Sequence, residues 1–416
     1  MTAWDLVIVL PHLGPGGAQK VALLAAEQLL AEGKQVALLT LLPEKPRTHQ
    51  LPDGLVWIDL GVDVAATTAN RALFARGRRF LLAWSRRLLA LGLVTVLQVW
   101  LASIRPGQQA ALVRWLLFSL TGPQAVLLAD WFRRHQPPRV LSLLTRTNLL
   151  CCAALWDQSA HLVVSERNDP RLQVQPFPWP WLRRWLWSRA NCITANTAGV
   201  LEGLQRCDPS RAASMRLLPN PLVIAAPSDA STRSPLLPGD HYFLAVCRLV
   251  PQKGIDLLLQ AYAALPAHIR AGWPLVIAGD GPERPMLEQM VSGLGLEGQV
   301  NFLGFVSAPQ TLLGRDAVFV LPSRFEGMPN ALLEAMGAGM AVVVSDASPG
   351  PLEVVMDQST GLVFSSGDIN ALAHGMACAS GDARLRTRLG NEAKALMAAH
   401  RWEELASTWN SILRLD

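Results

Sequence analysis

The chain has 416 residues, half of them hydrophobic and 17% charged, with a net charge of +5 and a pI near 9.1. This length supports two or three domains with large cores, and no apolar block is long enough to be an evident membrane-spanning helix. The six cysteines lack metal-ligand spacing, which favours reduced, mostly buried thiols of a cytoplasmic protein. The first residues lack a basic leader, so a signal peptide is not expected.

The first predicted elements are a buried strand over residues 6–10, a glycine loop, an amphipathic helix over 18–31 and a strand over 35–41. This order is typical of a Rossmann-type βαβ unit. Gly16 and Gly17 precede the helix, where glycine lets the backbone approach a phosphate. A tight turn that serves only packing is the alternative.

Residues 64–129 contain eight arginines and no Asp or Glu. Large apolar residues, among them Trp84, recur beside these arginines at helical spacing. A basic, amphipathic, Trp-containing stretch is typical of a helix that lies on an anionic bilayer surface. We therefore predict a membrane-proximal insertion at about residues 66–125. Helices packed over the first sheet are the alternative.

Polar clusters follow two further predicted strands, at residues 140–144 and 162–165. Arg146 and Asn148 follow the first strand, and Glu166 and Arg167 follow the second. These side chains are expected at the carboxyl edge of a parallel sheet, where ligands bind.

Residues 176–190 then hold four tryptophans and three arginines. Such a composition favours a boundary between apolar and aqueous surroundings, and core packing is the alternative. Residues 218–222 are the predicted hinge to the second half.

A strand over residues 242–246 begins the second half, and Arg248 and Lys253 flank the turn into a helix that starts at Ile255. Two cations at such a turn would neutralise a diphosphate and stabilise its leaving charge. Further strands are predicted at residues 275–278, 300–303, 317–321 and 341–345. Gly279 and Gly304 directly follow the first two of these, and a last helix is predicted over 402–413.

Two carboxylates mark the strand–loop–helix–strand segment of residues 317–345. Glu326 lies in the loop, and Glu334 lies inside the helix predicted over 330–337. The backbone amides of the helix start, at Asn330 and Ala331, suit a phosphate. A phosphate cradle with two acceptors for hydroxyl groups fits a sugar nucleotide. A surface loop acid and a solvated helix acid are the alternative.

Residues 323–331, SRFEGMPNA, together with Glu334, resemble the donor-binding signature of the retaining glycosyltransferases of sequence family four, which have the GT-B fold. The resemblance extends to residues 350–354 and 361–362, and to residues 248–254, which are similar to the family's diphosphate-binding motif. Residues 16–20, GGAQK, resemble the family's Gly-Gly-Ala-Glu-Arg loop. The resemblance covers nearly all of the second domain specifically and the first domain loosely.

The resemblance implies an α/β protein of the GT-B fold: two Rossmann-like domains with parallel sheets that face each other across a cleft. The implied domains are residues 1–220 on the acceptor side, residues 221–395 for the nucleotide sugar, and a helix over 396–416 that crosses back onto the first domain.

The resemblance also implies roles for residues. Arg248 and Lys253 would stabilise the departing diphosphate, Glu326 the sugar, and Glu334 the ribose hydroxyls. Further donor contacts are implied for Gly16, Gly17, Gly279, Gly304, Phe305, Asn330 and Ala331. The acceptor side is implied for Arg146, Asn148, Glu166 and Arg167.

The predicted function is metal-independent, cofactor-free, retaining transfer of a sugar from a nucleotide diphosphate, a UDP sugar by family analogy, to a glycan or lipid-linked acceptor. The expected partners include an anionic membrane surface and no nucleic acid. The expected location is cytoplasmic, peripheral on the inner face of the membrane. The alternatives are a non-catalytic membrane-associated subunit of a glycan assembly complex, and a nucleotide-sugar epimerase or a phosphorylase of the same fold.

Overall fold

The structure, a computed structural model, describes residues 4–42, 47–61, 115, 124–173, 179–222, 234–314 and 316–416. The predicted basic insertion at residues 66–125 lies outside these residues, apart from positions 115, 124 and 125. The chain divides into two compact units. The first comprises Met1–Ala195, Gly203–Leu218 and Thr408–Asp416, and the second comprises Asn196–Glu202 and Pro219–Ser407.

The first unit alternates strands and helices. Its strands are β1 (Leu6–Leu10), β2 (Val36–Thr40), β3 (Val56–Asp59), β4 (Arg139–Leu143), β5 (His161–Glu166), β6 (Cys192–Ala195) and β7 (Met215–Leu217). The helices in this part of the chain are α1 (Gly17–Ala31), α2 (Gln124–His135), α3 (Thr145–Ala154), α4 (Trp179–Leu186) and α5 (Ala198–Cys207), the last divided between the units after Glu202.

Among the described residues, the strands of the first unit form a seven-stranded parallel sheet in the order β3-β2-β1-β4-β5-β6-β7. In register, Val7 of β1 lies between Ala37 of β2 and Val140 of β4. All five residues of β1 are buried, as expected for a central parallel strand covered on both faces. The strand order reverses between β1 and β4, so the loops after these two strands flank a topological switch point.

The second unit repeats this pattern. Its strands are β8 (Phe243–Val246), β9 (Leu275–Ala278), β10 (Val300–Gly304), β11 (Val318–Leu321), β12 (Ala341–Ser345) and β13 (Leu362–Phe364). Its helices are α6 (Ile255–Ala264), α7 (Ala267–Gly272), α8 (Arg284–Gly293), α9 (Asn330–Gly337), α10 (Pro349–Leu352), α11 (Ile369–Gly381), α12 (Ala383–Leu396) and α13 (Trp402–Leu413). The residues of α13 from Thr408 onward belong to the first unit.

The strands described for the second unit form a six-stranded parallel sheet in the order β10-β9-β8-β11-β12-β13. Alternate residues of β8 enter different buried clusters. Phe243 packs in one cluster with Tyr262 of α6, and Leu244 packs in the other with Met336 of α9. Each such fully buried side chain contributes about 1.5–3 kcal/mol of hydrophobic stabilisation. The order reverses between β8 and β11, so a second switch point lies between their loops.

The strands and helices predicted within residues 6–41, 140–165 and 242–345 occur, as does the helix predicted over 402–413, and the predicted ends agree with the structure to within one residue. The helix implied over residues 396–416 is shorter in the structure, where α13 covers Trp402–Leu413, and the helices predicted in the basic insertion fall on residues that the structure does not describe. The strand predicted over residues 162–165 is one residue longer at each end, because β5 begins at His161 and ends at Glu166. Within the described ranges, every helix falls short of the length and apolar character that a membrane span needs. The predicted domain bounds at residues 220 and 395 stay predictions. The two compact units of the structure meet along the chain at other positions, after Leu218 and after Ser407.

Candidate functional site

The loops after β8 and β11 bring Lys253 and Glu326 into contact. Lys253 Nζ forms an ion pair with Glu326 Oε1, and the two side chains are only 15% and 7% exposed. Ser323 Oγ donates to the same carboxylate oxygen at 2.8 Å, and the Glu326 amide donates to Ser348 Oγ at 2.8 Å. A buried charge is tolerated when it has such partners. The arrangement places a supported pair of opposite charges at the switch point.

A second ion pair joins the loop after β11 to the first turn of α6. Arg324 donates to Asp256 through Nη1 at 2.9 Å and Nη2 at 2.7 Å. Burial would raise the pKa of Asp256, but its hydrogen bonds and the charge of Arg324 outweigh burial and lower that pKa. Gln252 adds two bonds: its Nε2 donates to the Phe325 carbonyl at 2.9 Å, and its carbonyl accepts from the Arg324 amide at 2.8 Å.

Glycine at position 254 allows these loops to approach. Gly254 has φ +65°, and a Cβ there would lie 2.2 Å from the Pro322 carbonyl oxygen. Any larger residue would therefore push the loop that carries Lys253 away from the loop that carries Glu326. Of the residues in these two contacts, Lys253 and Glu326 were predicted to act, and Arg324 and Asp256 were not. Arg324 lies within the SRFEGMPNA segment, but Asp256 precedes it by 68 residues, so no local signal could pair them.

Arg248 lies near this ion pair, with its side chain exposed. Burial raises the pKa of the neighbouring Cys247 thiol to about 12; Lys253 and Arg248 oppose this effect and Glu326 adds to it. The pKa of the Cys247 thiol therefore responds to all three predicted catalytic charges. These charges lie around the carboxyl end of β8, which Cys247 directly follows. With such a pKa, Cys247 is almost entirely protonated at neutral pH and is a poor nucleophile.

Gly279 directly follows β9, Gly304 is the last residue of β10, and the two glycines contact each other. The Gly279 amide donates to the Gly304 carbonyl at 2.7 Å. Gly279 has φ +142°, and a Cβ there would lie 1.7 Å from the Cys247 carbonyl oxygen, so only glycine fits. Phe305, next along the chain, is exposed. These residues extend the site along the carboxyl edge of β8, β9 and β10.

The start of α9 supplies the remaining predicted donor contacts of this unit. Asn330 and Ala331 are the first residues of the helix, and both are half-buried. The first amides of any helix have no acceptor within that helix, and its dipole favours an anion there. Glu334 lies just over one turn further and is also half-buried. Asn330 Oδ1 accepts a hydrogen bond from Asn220 Nδ2 at 2.7 Å. Asn220 was predicted only as part of the hinge at residues 218–222.

In the first unit, Gly16 and Gly17 lie where α1 begins. Gly17 is exposed, and Gly16 is extended at φ 169°, which any residue can adopt. The Gln19 side chain folds back over this loop. Its Oε1 atom lies so close that a Cβ on Gly16 would be only 2.2 Å from it. Gln19, which stands where the resembling loop has glutamate, is only 3% exposed. It packs against the loop instead of facing solvent.

The structure brings Asn148 and Glu166 together in a buried network. Asn148 Nδ2 donates to Glu166 Oε1 at 3.0 Å, and Thr145 Oγ1 donates to Glu166 Oε2 at 2.6 Å. Ser142 Oγ donates to Asn148 Oδ1 at 2.8 Å, which fixes the orientation of that amide. Burial raises the pKa of Glu166, although the Thr145 and Asn148 hydrogen bonds oppose the shift. A buried acid with a perturbed pKa is a candidate for function.

The two predicted acceptor-side arginines lie in different surroundings. Arg146 is exposed, and its Nη2 donates to Gln124 Oε1 at 3.5 Å. Arg167 is buried, and burial lowers its pKa to about 10. Of the four predicted residues, Asn148 and Glu166 thus share direct contacts.

Comparison with known proteins relates the second half of the chain to a family. Residues 229–396 match the family described as glycosyl transferases group 1. An exopolysaccharide phosphotransferase of Streptomyces coelicolor is 36% identical over 38% of this chain, but the match covers 18% of that protein. A Campylobacter jejuni enzyme is 28% identical over 60% of this chain and 69% of its own length. Its name describes a 4-alpha-N-acetylgalactosaminyltransferase acting on an N-acetylgalactosamine-N,N'-diacetylbacillosaminyl-diphospho-undecaprenol.

Among solved structures, Anabaena HepE in complex with UDP and glucose has a TM-score of 0.72 at 16% identity, over 98% of this chain and 99% of that one. At this identity the likeness shows the fold alone. The predicted fold is confirmed: two Rossmann-like domains with parallel sheets, as in GT-B glycosyltransferases. The family resemblance is also confirmed.

We predict that Glu166→Gln gains thermal stability over the wild-type chain as pH rises. A raised pKa means that the folded state holds the proton more tightly than the unfolded state, so stability is lost as pH rises through the folded pKa. The amide of the variant keeps an oxygen for Asn148 and cannot ionise. Melting temperatures of both proteins, measured from about pH 4.5 to about pH 8, should diverge upward in favour of the variant. Glu297→Gln, at an exposed turn, controls for the lost charge. A difference that stays constant with pH contradicts the prediction.

Proposed function

Because residues 229–396 of this chain match the glycosyl transferases of group 1, we propose that the protein is a retaining, metal-independent glycosyltransferase. It moves a sugar from a nucleotide diphosphate, with UDP as the favoured carrier, to a lipid-linked glycan acceptor. The observation that carries this proposal is the ion pair of Lys253 and Glu326 at the β8–β11 switch point. It places one cation and one anion where a charged, polyhydroxylated ligand binds an open α/β sheet.

The cations suit the diphosphate. Lys253 and Arg248 stand at the carboxyl end of β8, and charge-assisted bonds from such groups stabilise phosphate oxygens and the charge that develops on a leaving diphosphate. The start of α9 adds backbone donors at Asn330 and Ala331. Gly279 and Gly304 keep the neighbouring loops free of side chains, so that a nucleotide can approach the backbone, and the exposed ring of Phe305 suits the base.

The acids suit the sugars. Glu334 accepts from the ribose hydroxyls, and Glu326 holds the transferred sugar and its developing positive charge. When the donor binds, Lys253 turns from Glu326 to a phosphate oxygen, and the carboxylate then accepts from sugar hydroxyls. The acceptor attacks from the face that the diphosphate leaves, and a phosphate oxygen takes the acceptor proton. The new bond therefore keeps the configuration of the one that breaks.

The acceptor side is assigned to the first unit, with Arg146, Asn148, Glu166 and Arg167. The Campylobacter relative acts, by its name, on a glycan joined through a diphosphate to undecaprenol. An acceptor of this class is anionic and embedded in a membrane. The arginine-rich residues 64–129 suit an anionic bilayer surface, and this supports a protein held at the membrane beside its acceptor.

Incubation of the purified chain with a panel of sugar nucleotides tests the function. We expect slow release of free sugar and nucleoside diphosphate from one donor, and faster release when a lipid-diphosphate glycan is added. Glu326→Ala should lower turnover about 100-fold or more, as the loss of a transition-state interaction does. Glu403→Ala, at an exposed position of α13, is the matched control. Formation of an epimerised donor supports the epimerase instead. No turnover of any donor supports the non-catalytic subunit.

Flotation with vesicles tests the membrane assignment. We expect the chain to bind vesicles with anionic phosphatidylglycerol and to leave vesicles of phosphatidylcholine alone. Each basic residue near such a surface contributes about 1 kcal/mol, so the pair Arg86→Gln and Arg87→Gln should weaken binding roughly tenfold or more. The control pair is Arg384→Gln and Arg388→Gln, two exposed arginines of α12. Equal binding by both pairs, or binding that salt does not reduce, contradicts the assignment.

A further inference from the structure

Residues Thr408–Asp416, which we call the return segment, belong to the first unit, although the residues that precede them belong to the second. Leu415 of this segment is only 3% exposed. Lys34 Nζ donates to the Leu415 carbonyl at 2.5 Å, and Arg139 Nε donates to the Arg414 carbonyl. The return segment is therefore docked through backbone carbonyls that accept from cationic side chains of the first unit.

His161, the first residue of β5, makes a third contact of this kind. Its Nε2 atom lies 2.9 Å from the Ile412 carbonyl oxygen. A carbonyl can only accept a hydrogen bond, so Nε2 carries the proton of the neutral ring. The Nδ1 atom is then the unprotonated nitrogen. It is buried and has no hydrogen-bond partner among the described residues.

The charges that act on this ring are positive and come from three parts of the first unit. They belong to Arg139 of β4, Arg189 in the short turn before β6, and Arg414 of the return segment. Burial is the largest cause that lowers the pKa of His161; the Ile412 carbonyl raises it, and the three arginines lower it further. A proton on Nδ1 would be buried without an acceptor, close to three like charges. The neutral ring is therefore the form that fits the docked segment.

We propose that His161 is a pH-sensitive latch for the return segment: the neutral ring keeps the segment docked, and a proton on Nδ1 weakens the docking. The direction follows from linkage. A histidine with a lowered pKa binds its proton more tightly once the segment has left, so docking is strongest above about pH 6.5 and weakens as pH falls through that value towards the lower docked pKa. The latch needs neither donor nor acceptor, so it stands independently of the proposed function.

Hydrogen exchange of the full chain, followed by mass spectrometry, tests the latch with the amides of residues 408–416 as the readout. After correction for the intrinsic pH dependence of exchange, their protection in the wild-type chain should fall about threefold or more from about pH 7.5 to about pH 5.5. One histidine accounts for at most about tenfold over this range. In His161→Gln the side-chain amide can still donate to the Ile412 carbonyl but cannot ionise, so protection should change less than about twofold. His268→Gln, at an exposed position of α7, is the control and should behave like the wild-type chain.

An equal fall of protection in the wild-type chain and in His161→Gln overturns the latch, as does wild-type protection that does not change with pH. If His161→Gln does not fold, Arg414→Asn takes its place. Asparagine tolerates the positive φ of 57° at this position. This variant keeps the histidine and removes the arginine that the return segment itself contributes. A proton on Nδ1 then costs less in the docked state, so protection should fall less with pH than in the wild-type chain. A fall as large as in the wild-type chain overturns the latch here as well.

Discussion

A buried pair of opposite charges constrains the second unit. Lys253 and Glu326 each lie on the loop after a central strand, and neither could be buried alone, because removal of one partner of a buried pair costs about 3–5 kcal/mol. The two loops must therefore stay at the spacing that keeps Lys253 Nζ in contact with the Glu326 carboxylate. The structure meets this requirement with Ser323 and Ser348 around the carboxylate, and with the glycine at position 254 that lets the loops meet.

The support is layered around this pair. Arg324 and Asp256 join the loops on the solvent side, where their bond is partly screened and contributes geometry more than stability. Asn220 donates a hydrogen bond to Asn330, the first residue of α9. The parallel sheet beneath fixes where the strands end, since both faces of β8 pack into buried clusters. A ligand that replaces one ionic partner thus meets groups whose positions are already set.

Periodicity, glycine and proline predicted many elements of this chain well, because buried parallel strands are continuous apolar runs and some helices, such as α1 and α9, begin beside a glycine or proline. The position of Glu326 relative to Lys253 followed only in part. Both were expected at one sheet edge, but their direct contact depends on β8 and β11 being neighbours, which no local pattern encodes. Asp256 and Asn220 were missed for the same reason: each contacts α9 or its preceding loop across a large distance in sequence.

The first half was harder to predict. Glu166 and Asn148 were expected at the edge of the sheet, yet their enclosure in a hydrogen-bonded network with Thr145 could not follow from spacing. Gln19 turned back onto its own loop, where the resembling family has a charged residue. Arginine-rich composition predicts a preference for anionic surfaces, because that preference depends on charge and not on exact placement.

In the proposed mechanism Lys253 binds the diphosphate and Glu326 binds the sugar, and the two charges neutralise each other until a donor binds. Calorimetric UDP affinities of Lys253→Met and Glu326→Gln test it most directly. We predict that Lys253→Met weakens UDP binding at least about tenfold, the loss of one charge-assisted contact. Glu326→Gln should bind UDP as tightly as the wild-type chain or more tightly, because Lys253 no longer leaves a carboxylate to meet the phosphate. Equal weakening by both substitutions would contradict the claim.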